Sequence, residues 1–120
     1  MRGTFDKVHL VPIGETIPLL DPDWVTSRIN GLSHNFAGSG PARFVVEPGP
    51  PGASAPPLTV GPLICYEDVV AGFVRAVAGQ PGGVEVFVNL TNDSWFGPGS
   101  EAWEHLALAQ FRSVEHRVPM

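Results

Sequence analysis

At 120 residues the chain has the length of one small domain or a piece of one. Seven Lys plus Arg against twelve Asp plus Glu leave a formal net charge of −5 with no basic cluster, which argues against nucleic acid as a partner. Hydrophobic residues make up 43% of the chain, yet no run approaches the roughly 18 to 20 apolar residues of a membrane span, so the isolated piece is expected to be soluble. The opening "MRGTFDKVHL" has Arg2 but no apolar stretch behind it and does not read as a secretory signal. Export or membrane attachment is then expected to be encoded elsewhere. A single cysteine, Cys65, rules out an internal disulfide framework.

In chain order, Pro and Gly concentrate in "GSGPA" (38–42) and "EPGPPGASAPPL" (47–58), which suit turns and an exposed connection rather than core. One domain over 1–120 with a Pro/Gly-rich loop at about 38–57 is expected, and "RFVVE" (43–47) inside that region reads as a strand. "LTVGPLICY" (58–66) is short, apolar and partly β-branched, consistent with a buried strand. "EDVVAGFVRAVAG" (67–79) then sets Val69, Val70, Phe73, Val74 and Val77 on one helical face, with Asp68 near the start and Gly79 at the stop. "GVEVFVNL" (83–90) alternates and is rich in valine, as a strand would be, and "TNDSWFGPGS" (91–100) is a loop. A last helix follows: Trp103, Leu106, Ala107, Gln110, Phe111 and Val114 have helical spacing, Glu101 and Glu104 occupy the first turn, His116 and Arg117 the last, and Pro119 stops it. Strand, helix, strand, helix predicts an α/β layered sheet with loops at the strand ends.

Cys65 falls where a predicted strand gives way to a predicted helix. By residue type, a lone cysteine in an apolar run is more often a small packing residue than a catalyst. By position, a strand-to-helix corner offers backbone N–H groups and partial positive charge that stabilise a thiolate or an oxyanion. Position and type together leave both readings open.

Three stretches, "FDKVHLVPIGE" (5–15), "ICYED" (64–68) and "NLTNDSWFG" (89–97), together resemble the nitrilase superfamily of carbon–nitrogen hydrolases. Within it, "LVPIGE" and "TNDSWFG" are most similar to the apolipoprotein N-acyltransferases. The resemblance implies part of a nitrilase-like αββα sandwich, a mixed β-sheet with flanking helices. It also implies an enzyme of the Glu-Lys-Cys type, working without a cofactor or metal. Such an enzyme moves an acyl chain from a phospholipid to the N-terminal diacylglyceryl-cysteine of a lipoprotein through a cysteine thioester. Its full-length form would sit in the bacterial inner membrane with the catalytic domain on the periplasmic side. The chain here is then expected to be an internal fragment, inactive alone, with the general-base glutamate lying upstream of it.

By the same resemblance Cys65 is the nucleophile and Lys7 the catalytic lysine, a fixed positive charge for the tetrahedral oxyanion. Glu15 and Glu67 are supporting carboxylates that orient Lys7 and the loop around Cys65, and the Tyr66 N–H is a candidate oxyanion donor. Asn89, Asn92 and Asp93 are expected to fix their own loop, with Asn92, Trp95 and Phe96 as substrate contacts, the two aromatics forming an apolar wall. Residue types alone make His9 structural, and Trp103, His105 and Phe111 matters of packing and surface on the last helix. Two other readings share these residues: a soluble nitrilase-type amidase acting on a small amide, and a non-catalytic nitrilase-like interaction module in which Cys65 only packs.

Overall fold

The computed structural model describes residues 3–17, 19–28, 35–47, 49 and 55–120, with backbone alone for Pro22, Val25, Thr26, Trp95 and Phe96. Residues 48 and 50–54 of the Pro/Gly-rich connection lie outside the described residues. Three strands, β1 (Phe44–Val46), β2 (Leu58–Ile64) and β3 (Val86–Leu90), form a mixed sheet in the order β1-β2-β3. β1 runs antiparallel to β2, with Phe44 opposite Val60 and Val46 opposite Leu58. β3 runs parallel to β2, with Val60 opposite Val86 and Ile64 opposite Leu90. Pro62 is tolerated in the central strand because β1 pairs only with Leu58–Val60 and needs no donor from position 62.

Helix α1 (Pro22–Arg28) precedes the sheet, α2 (Ala71–Ala78) joins β2 to β3, and α3 (Glu101–His116) follows β3. The sequence reading above places no helix at α1. Its signal is there in "DPDW": the Asp21 carboxylate accepts the Trp24 N–H at 2.9 Å, and Pro22 takes the first helical position, where a missing N–H does no harm. Expected and observed bounds of α3 agree closely, and Arg117 ends it in the left-handed conformation with φ 54°.

The core is a single cluster between sheet and α2. Leu63 and Phe87 from adjacent strands pack under Phe73, Val74 and Val77 of α2, with Phe5, Val8, Val70, Val84 and Val118 around them. α2 lies so close that a Cβ at Gly61 would approach Val77 to 2.7 Å and Val84 to 2.9 Å. Only glycine fits at that point of β2.

The helix expected to begin at Glu67 begins four residues later. Cys65–Asp68 forms a separate 3-10 turn, and α2 starts at Ala71. The cause is polar: Glu67 and Asp68 are fully buried and bonded to other segments, which pulls their backbone off the α2 axis.

α3 turns its apolar stripe outward. Trp103, Leu106, Phe111 and Val114 are exposed, while His105 and Ala109 are the residues turned inward. What meets the turn after β2 and α2 is a polar and small stripe continuing through Arg112 and His116.

Candidate active site

β2 and β3 are parallel neighbours, so both carboxyl ends open at one edge of the sheet, the edge where open α/β sheets place ligands. Cys65 follows β2 directly, and the Thr91–Phe96 loop follows β3. The two segments expected to carry the chemistry are therefore side by side.

Cys65 has φ 54°, the left-handed region that a non-glycine residue enters at a steric disadvantage. Such a conformation turns the chain sharply and presents the side chain at the sheet edge, as strand-to-helix nucleophile corners do. The Asn89 side-chain amide holds the corner, donating to the Cys65 carbonyl at 3.1 Å and to Asp68 Oδ2 at 2.6 Å. Asn89 thus braces the cysteine turn and not only its own loop. The sequence-based expectation assigned it to the loop because nothing local shows that parallel pairing sets Asn89 opposite Leu63.

Glu67, 0% exposed, is the hub beneath Cys65. One carboxylate oxygen accepts the Val8 N–H at 2.6 Å and the His9 N–H at 3.0 Å, and the other accepts the Ile64 N–H at 2.8 Å. A buried carboxylate needs such donors, and these come from the segment that carries Lys7 as well as from the end of β2. Glu67 therefore fastens the Lys7 segment to the nucleophile turn. The backbone adds a further tie, Gly38 N–H to the Lys7 carbonyl at 2.7 Å, and Gly38 lies so close to the Asp6 carbonyl that no side chain fits there.

Lys7 is nearly buried and donates to both oxygens of Glu15, at 2.8 and 2.7 Å. Glu15 also accepts the Val11 N–H at 2.8 Å. Partial burial works against the Glu15 charge, but the Lys7 and Val11 hydrogen bonds outweigh it and hold the carboxyl below its ordinary range. His9 packs its ring on Phe73 at 4.7 Å between centroids, a packing role.

A cleft of about 480 Å³ opens over Cys65. Val11, Gly14, Val69, Tyr66 and Leu108 give it apolar walls, and Glu15, Asn92, His105, Glu101 and Glu104 also line it. Cys65, Tyr66, Glu15 and Asn92 thus share one cavity, whereas Lys7 and Glu67 do not line it: Lys7 is paired with Glu15 and Glu67 is bonded to the backbone at the end of β2. Asn92 caps its own turn by accepting the Ser94 N–H at 3.2 Å. The side chains of Trp95 and Phe96 lie outside the described residues.

One residue assigned above to packing and surface belongs to this site. His105 is buried, with Nε2 at 2.9 Å from Asp68 and Nδ1 at 3.0 Å from Asp93. Asp93 in turn accepts the Thr91 hydroxyl at 2.9 Å. The available signal was the pairing of a histidine on an amphipathic helix with two acids following predicted strands, which is too weak to act on without the fold. Among the described residues no group of three His, Cys, Asp or Glu side chains is arranged to hold a metal ion, and no helix is long and apolar enough to cross a membrane.

A mixed sheet whose carboxyl edge carries a cysteine corner, a lysine–glutamate pair and a buried glutamate defines an α/β layered protein with a candidate site around a thiol. The carbon–nitrogen hydrolase profile matches residues 2–120, and the chain belongs to that family. Within it the chain is similar to apolipoprotein N-acyltransferases: 34% identical over 120 residues to that of Geobacter metallireducens, 40% over 119 to that of Sinorhizobium medicae and 37% over 123 to that of Caulobacter vibrioides. Each alignment covers 98% of this chain and 21% of the relative, so the chain spans about a fifth of the length of the curated relatives it matches.

Proposed function

We propose that these residues form the nucleophile-bearing part of an apolipoprotein N-acyltransferase, acting at the bacterial inner membrane on a phospholipid donor and a lipoprotein acceptor. The observation that carries this reading is Cys65 in a left-handed corner, opening into a largely apolar cleft and fastened through Glu67 to the Lys7 segment. The similarity to relatives bearing that name supports it.

In the first half-reaction the Cys65 thiolate attacks the ester carbonyl carbon of the phospholipid, the C–S bond forms, and the C–O bond breaks with a proton passing to the departing lysophospholipid alkoxide. In the second, the acceptor amine attacks the thioester carbonyl, the C–N bond forms, the C–S bond breaks, and a base takes the amine proton. The Lys7 ammonium and the Tyr66 N–H stabilise the oxyanion of each tetrahedral intermediate. Glu15 takes two of the three Lys7 donors and keeps the ammonium oriented. Because Glu15 is committed to that pair and Glu67 to three backbone N–H groups, neither is free to act as the general base.

Intact-protein mass spectrometry of the full chain incubated with phospholipid tests the reading. An acyl adduct labile to hydroxylamine is expected on the wild type and absent from Cys65→Ala. No adduct on the wild type removes the acyl-transfer assignment.

A further inference from the structure

Behind the cysteine corner runs a continuous chain of polar contacts. Thr91 donates to Asp93, Asp93 and Asp68 flank the ring of His105, and Asn89 bridges Asp68 to the Cys65 carbonyl. The chain joins β3, the Cys65–Asp68 turn, the Thr91–Phe96 loop and α3, and His105 is its one member on α3. We infer that His105 is a positioning residue for Cys65, an ionic clamp that locks α3 and the Asp93 loop against the nucleophile turn through Asp68 and Asn89. The inference rests on Cys65 being the nucleophile, as proposed above.

The protonation that the clamp requires follows from geometry. A neutral imidazole has one N–H, so with both acids ionised one ring nitrogen would face a carboxylate oxygen lone pair to lone pair at about 3 Å. The cluster must hold one extra proton, and the imidazolium satisfies both contacts at once. Burial disfavours charge on His105, but the Asp93 and Asp68 carboxylates outweigh it and raise the ring above its ordinary 6.5. Burial raises Asp68 against the pull of His105, while the hydrogen bonds from His105 and Thr91 lower Asp93. Glu101 and Glu104 on α3, with Glu15 across the cleft, add negative charge facing the same cavity, where Cys65 and Tyr66 are the remaining ionisable groups.

The sign is definite. The folded state holds the His105 proton to higher pH than the unfolded chain does, so the clamp is whole below 6.5 and is lost as pH rises through the raised value. Asp68 acts in the same direction from 3.8 upward. Asp93 acts oppositely, and its contribution fades only as pH falls through its lowered value, below 3.8.

The test follows iodoacetamide alkylation of Cys65 and the thermal midpoint from pH 5.5 to 9, in the full chain and in His105→Gln and Asp68→Asn. The wild type should show an alkylation inflection beyond that of the thiol, at the pH where its midpoint begins to fall. His105→Gln should lose both features and alkylate about tenfold more slowly at pH 6, the scale of one charge-assisted hydrogen bond. In Asp68→Asn the amide donates to Nε2 while Nδ1–H donates to Asp93, so a neutral ring is satisfied; the fold should persist without either pH feature. Superimposable profiles for wild type and His105→Gln overturn the clamp, and so does an inflection that persists in Asp68→Asn if His105→Gln fails to fold. The acyl-transfer reading fails separately, through absence of the thioester adduct.

Discussion

The corner after β2 and the outer face of α3 distribute side chains in opposite ways. In the corner, two consecutive carboxylates, Glu67 and Asp68, are 0% and 1% exposed, while on α3 Trp103, Phe111 and Val114 are 74%, 60% and 76% exposed. The corner buries charge because every carboxylate oxygen there has a donor: three backbone N–H groups for Glu67, Asn89 and His105 for Asp68. α3 leaves aromatics outside because its inward stripe, His105 and Ala109, is chosen by the acids it must reach. In this protein the polar contacts of the site set the orientation of the last helix, and hydrophobicity alone does not.

The comparison is most exposed to attack at Glu67. Replacing it with Ala strands three backbone donors beneath Cys65, and unfolding free energy in urea should fall by about 3 kcal/mol or more. A loss below about 1 kcal/mol would show that water or neighbouring groups take over those donors and that the buried charge is dispensable.

Gly61→Ala probes the core that supports the corner. A Cβ driven against Val77, Val84 and Phe87 should lower stability by about 1 to 3 kcal/mol. Normal stability of this variant would mean that α2 can move off the sheet, and with it the end of the Cys65 turn. At the other extreme, Phe111→Ser on the exposed face should change stability by no more than about 0.5 kcal/mol. A cost of several times that in the full-length protein would break the contrast, because it would identify the α3 face as covered there.

Legibility from sequence varied with the kind of signal. β1, β2 and β3 were readable because β-branched runs bounded by Pro, Gly and polar residues are local signals, and α3 was readable because acids open it and basic residues close it. The start of α2 was misplaced by four residues, since "EDVV" continues a helical pattern and nothing local reveals that Glu67 is bonded to Val8 and His9, nearly 60 residues away. The inward side of α3 is not legible locally for the same reason: Trp103, Leu106, Phe111 and Val114 make the better apolar stripe, yet the acids that meet His105 lie 37 and 12 residues upstream. In the site, Cys65, Lys7, Glu15 and Glu67 were singled out through their motifs, which gave no hint that Glu67 is a hub or that His105 joins them.

By itself, then, the sequence determined the α/β class, the strand–turn–helix order around Cys65 and the family to which these residues belong, because periodicity, turn chemistry and motif are encoded within a few residues of one another. Tertiary structure alone decided the left-handed corner at Cys65, the burial of Glu67 and Asp68, and the choice of His105 over the aromatic stripe. Those outcomes depend on which donors and acceptors meet when β2 and β3 pair in parallel and the Lys7 segment folds back beneath the turn. A buried charge is stable only where such distant partners converge, and no local pattern records that convergence.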